Sequence, residues 1–150
     1  MIILPDINQL LEYNNPWIIA RYEKDHPNNK LSANETLREL VKYFWICQKH
    51  KQDKESHPQD EGLDFVCSMH PEMHEIDDMW HTFLLFTQDY AKFCKTYFLS
   101  FIHHVPNMNE EKPGFDHFEL QFTRYLSYVY DHLGKETLSI WFSEYVKNNE

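Results

Sequence analysis

Residues 76–101 read IDDMWHTFLLFTQDYAKFCKTYFLSF, and this stretch decides the fold class. Its apolar and aromatic side chains recur at alternating intervals of four and three residues. The members of this stripe are Ile76, Trp80, Phe83, Thr87, Tyr90, Cys94, Tyr97 and Phe101. That spacing is typical of one face of an α-helix. We therefore predict one long central helix over about residues 76–101.

The segments on either side of this stretch carry shorter runs of the same spacing. The predicted helices run from Asp6 to Glu12, from Pro16 to before Pro27, from Ser32 to His50, from Phe115 to a left-handed cap at Gly134, and from Glu136 onward. Residues 32–35 (Ser-Ala-Asn-Glu) form a capping box, a signal of a helix start. The chain has only three glycines, and a β-sandwich needs many more turn signals. We therefore predict an all-α fold, a compact single-domain bundle of about five to six helices over residues 1–150.

Two strongly polar stretches interrupt the helical pattern. Residues 51–62 read KQDKESHPQDEG, and residues 107–114 read NMNEEKPG. Polar runs with proline and glycine are typical of solvated loops, which move more than the elements they join. We predict mobile loops at both places.

The charge balance excludes two classes of partner. The chain has 14 Lys and Arg against 24 Asp and Glu, a formal charge of −10, together with ten histidines. Nucleic-acid backbones and anionic membranes both reward clustered Lys and Arg, so we expect neither as a partner. No apolar run approaches the roughly 18 to 20 residues of a membrane span, and residues 1–6 lack the layout of a signal peptide. Three cysteines without a C-x-x-C pair suit a reducing compartment, and we predict a cytoplasmic protein.

Five of the ten histidines lie within 35 residues around the central helix. They are His70, His74, His81, His103 and His104. On a helical wheel, Asp77 and His81 share one face at the edge of the apolar stripe. A carboxylate and an imidazole spaced i, i+4 at such an edge are partly desolvated, and they either hydrogen-bond or hold a metal.

The metal hypothesis places Asp77, His81 and His104 around one ion, with His103 as a further candidate ligand. Imidazole and carboxylate suit zinc or another divalent first-row metal, and three protein ligands with one open position form a catalytic arrangement. The predicted function is then a metal-dependent hydrolase in which Glu75 or Asp78 is the nearest candidate general base.

The alternative needs no metal. In it, Asp77 accepts a hydrogen bond from His81 or a neighbouring donor, and residues 103–104 cap the helix C-terminus. Because buried polar pairs that only fasten elements together are common, this alternative is favoured. It predicts a non-enzymatic binding or regulatory module with an unidentified protein partner. A third hypothesis is a bacterial effector delivered into a host cell, which fits a small acidic chain whose first residues lack the layout of a Sec signal. The residue usage looks like that of an AT-rich bacterial genome, which says nothing about function.

A second group, Cys67, His70 and His74, lies just before the central helix. Cys-x-x-His with a histidine four residues further on offers three zinc ligands. Pro71, however, breaks the face between the two histidines, and no second ligand pair follows. We interpret the segment as a turn with a buried thiol.

Residues 76–106 also carry a family pattern. They contain D-x-x-W-H, then T-x-x-Y-x-x-F-C, then F-I-H-H-x-P. The chain resembles small, mostly uncharacterised bacterial helical proteins with this signature, and it is similar to the helical repeat of plant glycine-rich-domain proteins. The resemblance covers residues 15–145 and implies a compact helical domain. Its signature positions are Asp77, Trp80, His81, Tyr90, His103 and His104. One departure is Leu99-Ser100, where the family often has a glycine.

Overall fold

The computed structural model describes residues 2–105 and 115–148. Within these ranges the chain has eight α-helices and no strand, so the all-α prediction is confirmed. The helices are α1 (Ile7–Leu10), α2 (Pro16–Asp25), α3 (Ala33–Ser56), α4 (His74–Leu85), α5 (Thr87–Phe98), α6 (Phe115–Leu133), α7 (Lys135–Trp141) and α8 (Ser143–Asn148). Two 3₁₀ turns, Glu61–Leu63 and Pro71–Met73, lie between α3 and α4.

The predicted central helix is two helices. Phe86 leaves the helical region with φ −96° and ψ 70°, and it separates α4 from α5. The indole Nε1 of Trp80 lies 3.0 Å from the hydroxyl of Tyr90 across this break. In one continuous helix, residues ten apart are separated by about 15 Å along the axis, so that contact requires the break. On both sides of the break the stripe contributes to the same core through Ile76, Trp80, Phe83, Tyr90 and Cys94, whereas Thr87 at the start of α5 and Phe101 are exposed.

Other boundaries also differ from the sequence prediction. Helix α3 continues to Ser56, so the first half of the predicted 51–62 loop is helical. Asp53 in this extension accepts a 2.6 Å hydrogen bond from Tyr128 of α6, a contact that sequence spacing does not reveal. The predicted 107–114 loop lies outside the described residues. The last predicted helix is divided into α7 and α8 at Phe142, which raises the helix count.

Side-chain caps account for several helix starts. Ser32 accepts the backbone N–H of Glu35 at the start of α3, as the capping box predicts. Asn15 accepts two backbone N–H groups at the start of α2, and its amide also donates to Asp89 of α5 at 2.9 Å. Gly134 separates α6 from α7 with φ 93°, a value that favours glycine.

The core lies where α3 packs against α4, with α2, α5, α6 and α7 around them. Its fully buried side chains include Ile18, Tyr22, Leu40, Phe44, Ile46, Met79, Phe83, Tyr90, Val129, Trp141 and Phe142. Buried polar groups are paired: the Glu39 carboxylate accepts from the indole of Trp141 and from the ammonium of Lys42, each at 3.0 Å. None of the helices described is both long and apolar enough to cross a membrane.

Candidate functional site

Asp77 and His81 lie one turn apart on α4, at the edge between core and solvent. Oδ2 of Asp77 is 3.8 Å from Nδ1 of His81. The Asp77 side chain is 29% exposed and that of His81 is 55% exposed. The i, i+4 spacing on a helix places the two groups together, as the sequence predicts.

His104 reaches the same carboxylate from the segment after α5. Its Nε2 donates to Oδ1 of Asp77 at 3.0 Å, and its side chain is 21% exposed. The chain turns back towards α4 at Leu99, which adopts the left-handed conformation with φ 54° and ψ 19°. Glycine adopts such a φ without strain, whereas a leucine at this φ is strained.

A buried tyrosine holds this returning segment against α4. The Tyr90 hydroxyl accepts the indole N–H of Trp80 at 3.0 Å and donates to the carbonyl of Ile102 at 2.5 Å. Burial raises the pKa of Tyr90, so its hydroxyl keeps the proton that it donates. The Trp80 ring also packs edge-on against the imidazole of His104, with centroids 4.3 Å apart. Trp80 therefore positions the His104 ring by direct contact, whereas Tyr90 acts on it through Trp80 and Ile102.

The ligand atoms of Asp77, His81 and His104 all lie within 4.8 Å of one another. Ligands about 2.0–2.1 Å from a tetrahedral zinc ion are about 3.3 Å apart, so small side-chain movements would bring all three onto one ion. The donor set of two imidazoles and one carboxylate suits zinc and other divalent first-row metals. In the part of the chain that the structure describes, no other three His, Cys, Asp or Glu side chains converge in this way.

His103, the fourth predicted ligand, points elsewhere. It is exposed, and its ring packs against Phe101 with centroids 4.7 Å apart. Three of the four candidate ligands thus come together, and the fourth does not join them.

The two candidate general bases contact the loop between α2 and α3. Both carboxylate oxygens of Glu75 accept backbone N–H groups, from Lys30 at 2.8 Å and from Leu31 at 2.9 Å. Asp78 accepts from the Asn29 amide at 3.1 Å. These bonds hold the loop on α4, and a catalytic role for either carboxylate stays a prediction.

The second predicted group, Cys67, His70 and His74, is not brought together. Nδ1 of His70 accepts the backbone N–H of Glu72, and its ring stacks on Phe122. Burial lowers the pKa of His70. His74 is exposed at the start of α4, and the Cys67 sulfur lies against that of Cys47. Each of the three side chains therefore has separate surroundings.

Sequence reasoning missed two features around these groups. The break at Phe86 brings Tyr90 back onto Trp80, and the 4-3 spacing contains no signal for it. Cys47 is the neighbour of Cys67, and a distance of 20 residues between two cysteines does not predict that contact. The D-x-x-W-H and T-x-x-Y-x-x-F-C motifs of the sequence contain Trp80 and Tyr90, but they carry no information about what the two side chains contact.

Comparison with known proteins identifies a family and no individual relative. Neither curated proteins nor solved structures give a match. A family model described as UCP032817-like matches residues 10–126, which include α4, α5 and all three residues of the cluster. The match covers well over half of the chain, and the chain belongs to the UCP032817-like family.

Proposed function

We propose that this protein is a divalent-metal-binding helical domain in which Asp77, His81 and His104 ligate one ion, with zinc preferred. The observation that carries the proposal is the convergence of these three ligand atoms within 4.8 Å at a partly exposed edge. Two ligands come from one helix face and the third from a segment that Tyr90 holds in place. A site built on packed elements in this way keeps its geometry.

The reaction class that follows is hydrolysis. His81 is exposed, so the fourth coordination position of an ion would face solvent. Zinc with three protein ligands lowers the pKa of a bound water to about 7, which supplies hydroxide near neutral pH. Zinc-dependent cleavage of a chromogenic ester or phosphodiester that is lost in His81→Ala would support this class. Equal turnover with and without zinc would contradict it.

Metal stoichiometry tests the binding proposal directly. Protein purified without a histidine tag is stripped with a chelator and titrated with zinc against a chromophoric competitor. We expect one equivalent to bind, and a rise of several degrees in Tm at zinc well above Kd, because an ion that binds only the folded state stabilises it by about 2.7 kcal/mol at 100 times Kd. Absence of binding at micromolar zinc would refute the proposal.

Two variants form the matched pair for this titration. His81→Ala removes an exposed ligand and should abolish stoichiometric binding with little change in the stability of the metal-free protein. His103→Ala removes an exposed histidine from the segment that also carries His104 but lies outside the cluster itself, and this variant should bind zinc as the wild type does. Full zinc occupancy in His81→Ala would refute the ligand assignment.

A second candidate function is metal-free fastening, in which the cluster joins α4 to residues 99–105 of a binding or regulatory module. The 3.0 Å hydrogen bond from His104 to Asp77 favours it, because that bond is complete without an ion. Zinc binding by the wild type and by Asp77→Asn distinguishes the two functions. The asparagine carbonyl still accepts from His104, so metal-free Asp77→Asn should keep its Tm under either function. Fastening predicts no stoichiometric zinc binding in either protein, whereas the metal proposal predicts binding in the wild type and a large loss of zinc affinity in Asp77→Asn.

A further inference from the structure

Cys47 and Cys67 form a thiol pair that the candidate site does not use. Their Sγ atoms lie 2.6 Å apart, and the Cys47 Sγ is 3.8 Å from the carbonyl oxygen of Cys67. Cys47 lies on α3, and Cys67 lies in the segment between the two 3₁₀ turns that leads into α4. Both residues are half-buried, whereas Cys94, the third cysteine, is 1% exposed.

The fold holds the Cys67 segment in place on both sides of the cysteine. Before it, the carbonyl of Leu63 accepts from Nε2 of His50 at 2.9 Å. After it, the carbonyl of Ser68 accepts from the Tyr125 hydroxyl at 2.7 Å. The ring of Phe65 stacks between these anchors, 4.0 Å from His50 and 5.7 Å from Tyr125. These contacts hold Cys67 beside Cys47 in the reduced protein, so no rearrangement of the segment is needed to bring the two sulfur atoms together.

The surroundings of the pair disfavour two separate thiolates. Burial raises the pKa of Cys67, and the neighbouring Cys47 thiol raises it further. A disulfide carries no charge and no polar S–H group, so it fits this apolar environment at least as well as two thiols do. A bond also needs the sulfur atoms about 2.05 Å apart, which is a short approach from their present separation.

We propose that Cys47 and Cys67 are a reversible disulfide site whose oxidation joins α3 to the segment entering α4. With glutathione disulfide as the oxidant, a protein thiolate attacks the glutathione S–S bond and releases one glutathione. The second protein thiolate then attacks the mixed disulfide and releases the other. The protein loses two electrons and two protons, one S–S bond replaces another, and two glutathione thiols form.

The experiment equilibrates the whole chain with glutathione redox buffers in the presence of EDTA, in buffer and in concentrated urea. Acid quenching, alkylation and peptide mass mapping then identify the linked cysteines. In the native protein we expect a Cys47–Cys67 link and one remaining free thiol, that of Cys94. The equilibrium constant for forming the Cys47–Cys67 disulfide with glutathione should be about a hundredfold larger in the native than in the unfolded chain. The reason is that a disulfide closing a loop of about 20 residues stabilises the folded state by about that factor.

Two further measurements keep the test independent of any one variant. Wild-type protein should gain roughly 5 to 10 °C in Tm on oxidation, and Cys47→Ala should gain nothing. Cys94→Ala is the matched control and should form the link as the wild type does. Equal oxidation in native and urea-unfolded protein, a link through Cys94, or three free thiols under oxidising glutathione would each overturn the proposal.

Discussion

His50 and His104 each donate one hydrogen bond to an oxygen from a distant part of the chain, yet their surroundings differ. His50 is 5% exposed, donates to the neutral carbonyl of Leu63, and packs between Phe65 and Tyr128. His104 donates to a carboxylate, lies 4.6 Å ring to ring from a second imidazole, and reaches solvent. The first environment offers an ion nothing further to bind, and the second offers three ligand atoms and an open side.

Burial and convergence thus separate a structural histidine from a candidate ligand. Burial lowers the pKa of His50, so its imidazole remains neutral near pH 7 while it donates to the Leu63 carbonyl. At the Asp77 cluster, the carboxylate and the exposed His81 remain available to an incoming ion. Histidine count alone does not make this distinction, because both kinds of histidine occur among the ten.

Truncating the buried histidine should have the largest effect. We expect His50→Ala to lower the free energy of unfolding by about 3 kcal/mol, because it leaves a cavity and an unpaired Leu63 carbonyl in the core. The matched change at the exposed histidine, His81→Ala in metal-free protein, should cost less than about 0.5 kcal/mol. Urea unfolding measures both losses. Equal losses would contradict the conclusion that His50 stabilises the fold and His81 does not.

Removing the Tyr90 hydroxyl, which joins α4 to the segment that carries His104, should have the next largest effect. Tyr90→Phe leaves the indole N–H of Trp80 and the carbonyl of Ile102 without their partner, and we expect a loss of about 2 kcal/mol. Tyr130→Phe, at a half-exposed position on α6, is the control and should change stability by less than about 0.5 kcal/mol. Zinc affinity should also fall in Tyr90→Phe, because His104 loses its support. An unchanged free energy of unfolding in Tyr90→Phe would show that these two hydrogen bonds do not stabilise the fold.

Mild acid should lower stability through His50, which is buried, and His70, which is half-buried. The pKa values of His50 and His70 are lowered in the folded state, chiefly by burial, so below about pH 6.5 the unfolded chain binds more protons than the folded one. Stability is therefore fully present above that pH and is lost as the pH falls towards the folded pKa. Urea midpoints between pH 8 and 5 should decline less steeply in His50→Gln, whose amide still donates a hydrogen bond. If the urea midpoint of His50→Gln falls with pH as steeply as that of the wild type, His50 does not contribute to the loss of stability in acid.

The smallest expected effect is a gain at the turn that brings His104 to the site. Leu99 has φ 54° and a side chain that is largely exposed, so Leu99→Gly relieves backbone strain and loses little buried surface. Relieving about 1 kcal/mol or more of strain stabilises the folded state, while the greater conformational entropy of glycine stabilises the unfolded chain by part of that amount. We expect a net stabilisation of about 0.5 kcal/mol. Ser100→Gly is the control, because Ser100 has no positive φ to relieve and should be slightly destabilised. A loss of thermal stability in Leu99→Gly would contradict the strain argument.

Much of the helical structure was predictable because it depends on neighbours in sequence. Apolar spacing indicated the helices, the Ser32 capping box marked the start of α3, and the i, i+4 rule paired Asp77 with His81. The extension of α3 to Ser56 was not predictable from local polarity, because Tyr128 of α6 contacts it at Asp53. The break at Phe86 was not predictable for a related reason: it is stabilised by the hydrogen bond between Trp80 and Tyr90 across the break, which helical periodicity does not reveal.

The sequence by itself determined an all-helical chain with one Asp–His pair at the edge of its main apolar stripe, because helix geometry converts spacing directly into a shared face. Only the tertiary structure decided that His104, 27 residues from Asp77, completes the cluster and that His103 does not. It likewise brought Cys47 against Cys67. These contacts depend on how helices end and pack against each other, and periodicity within one helix carries no information about either.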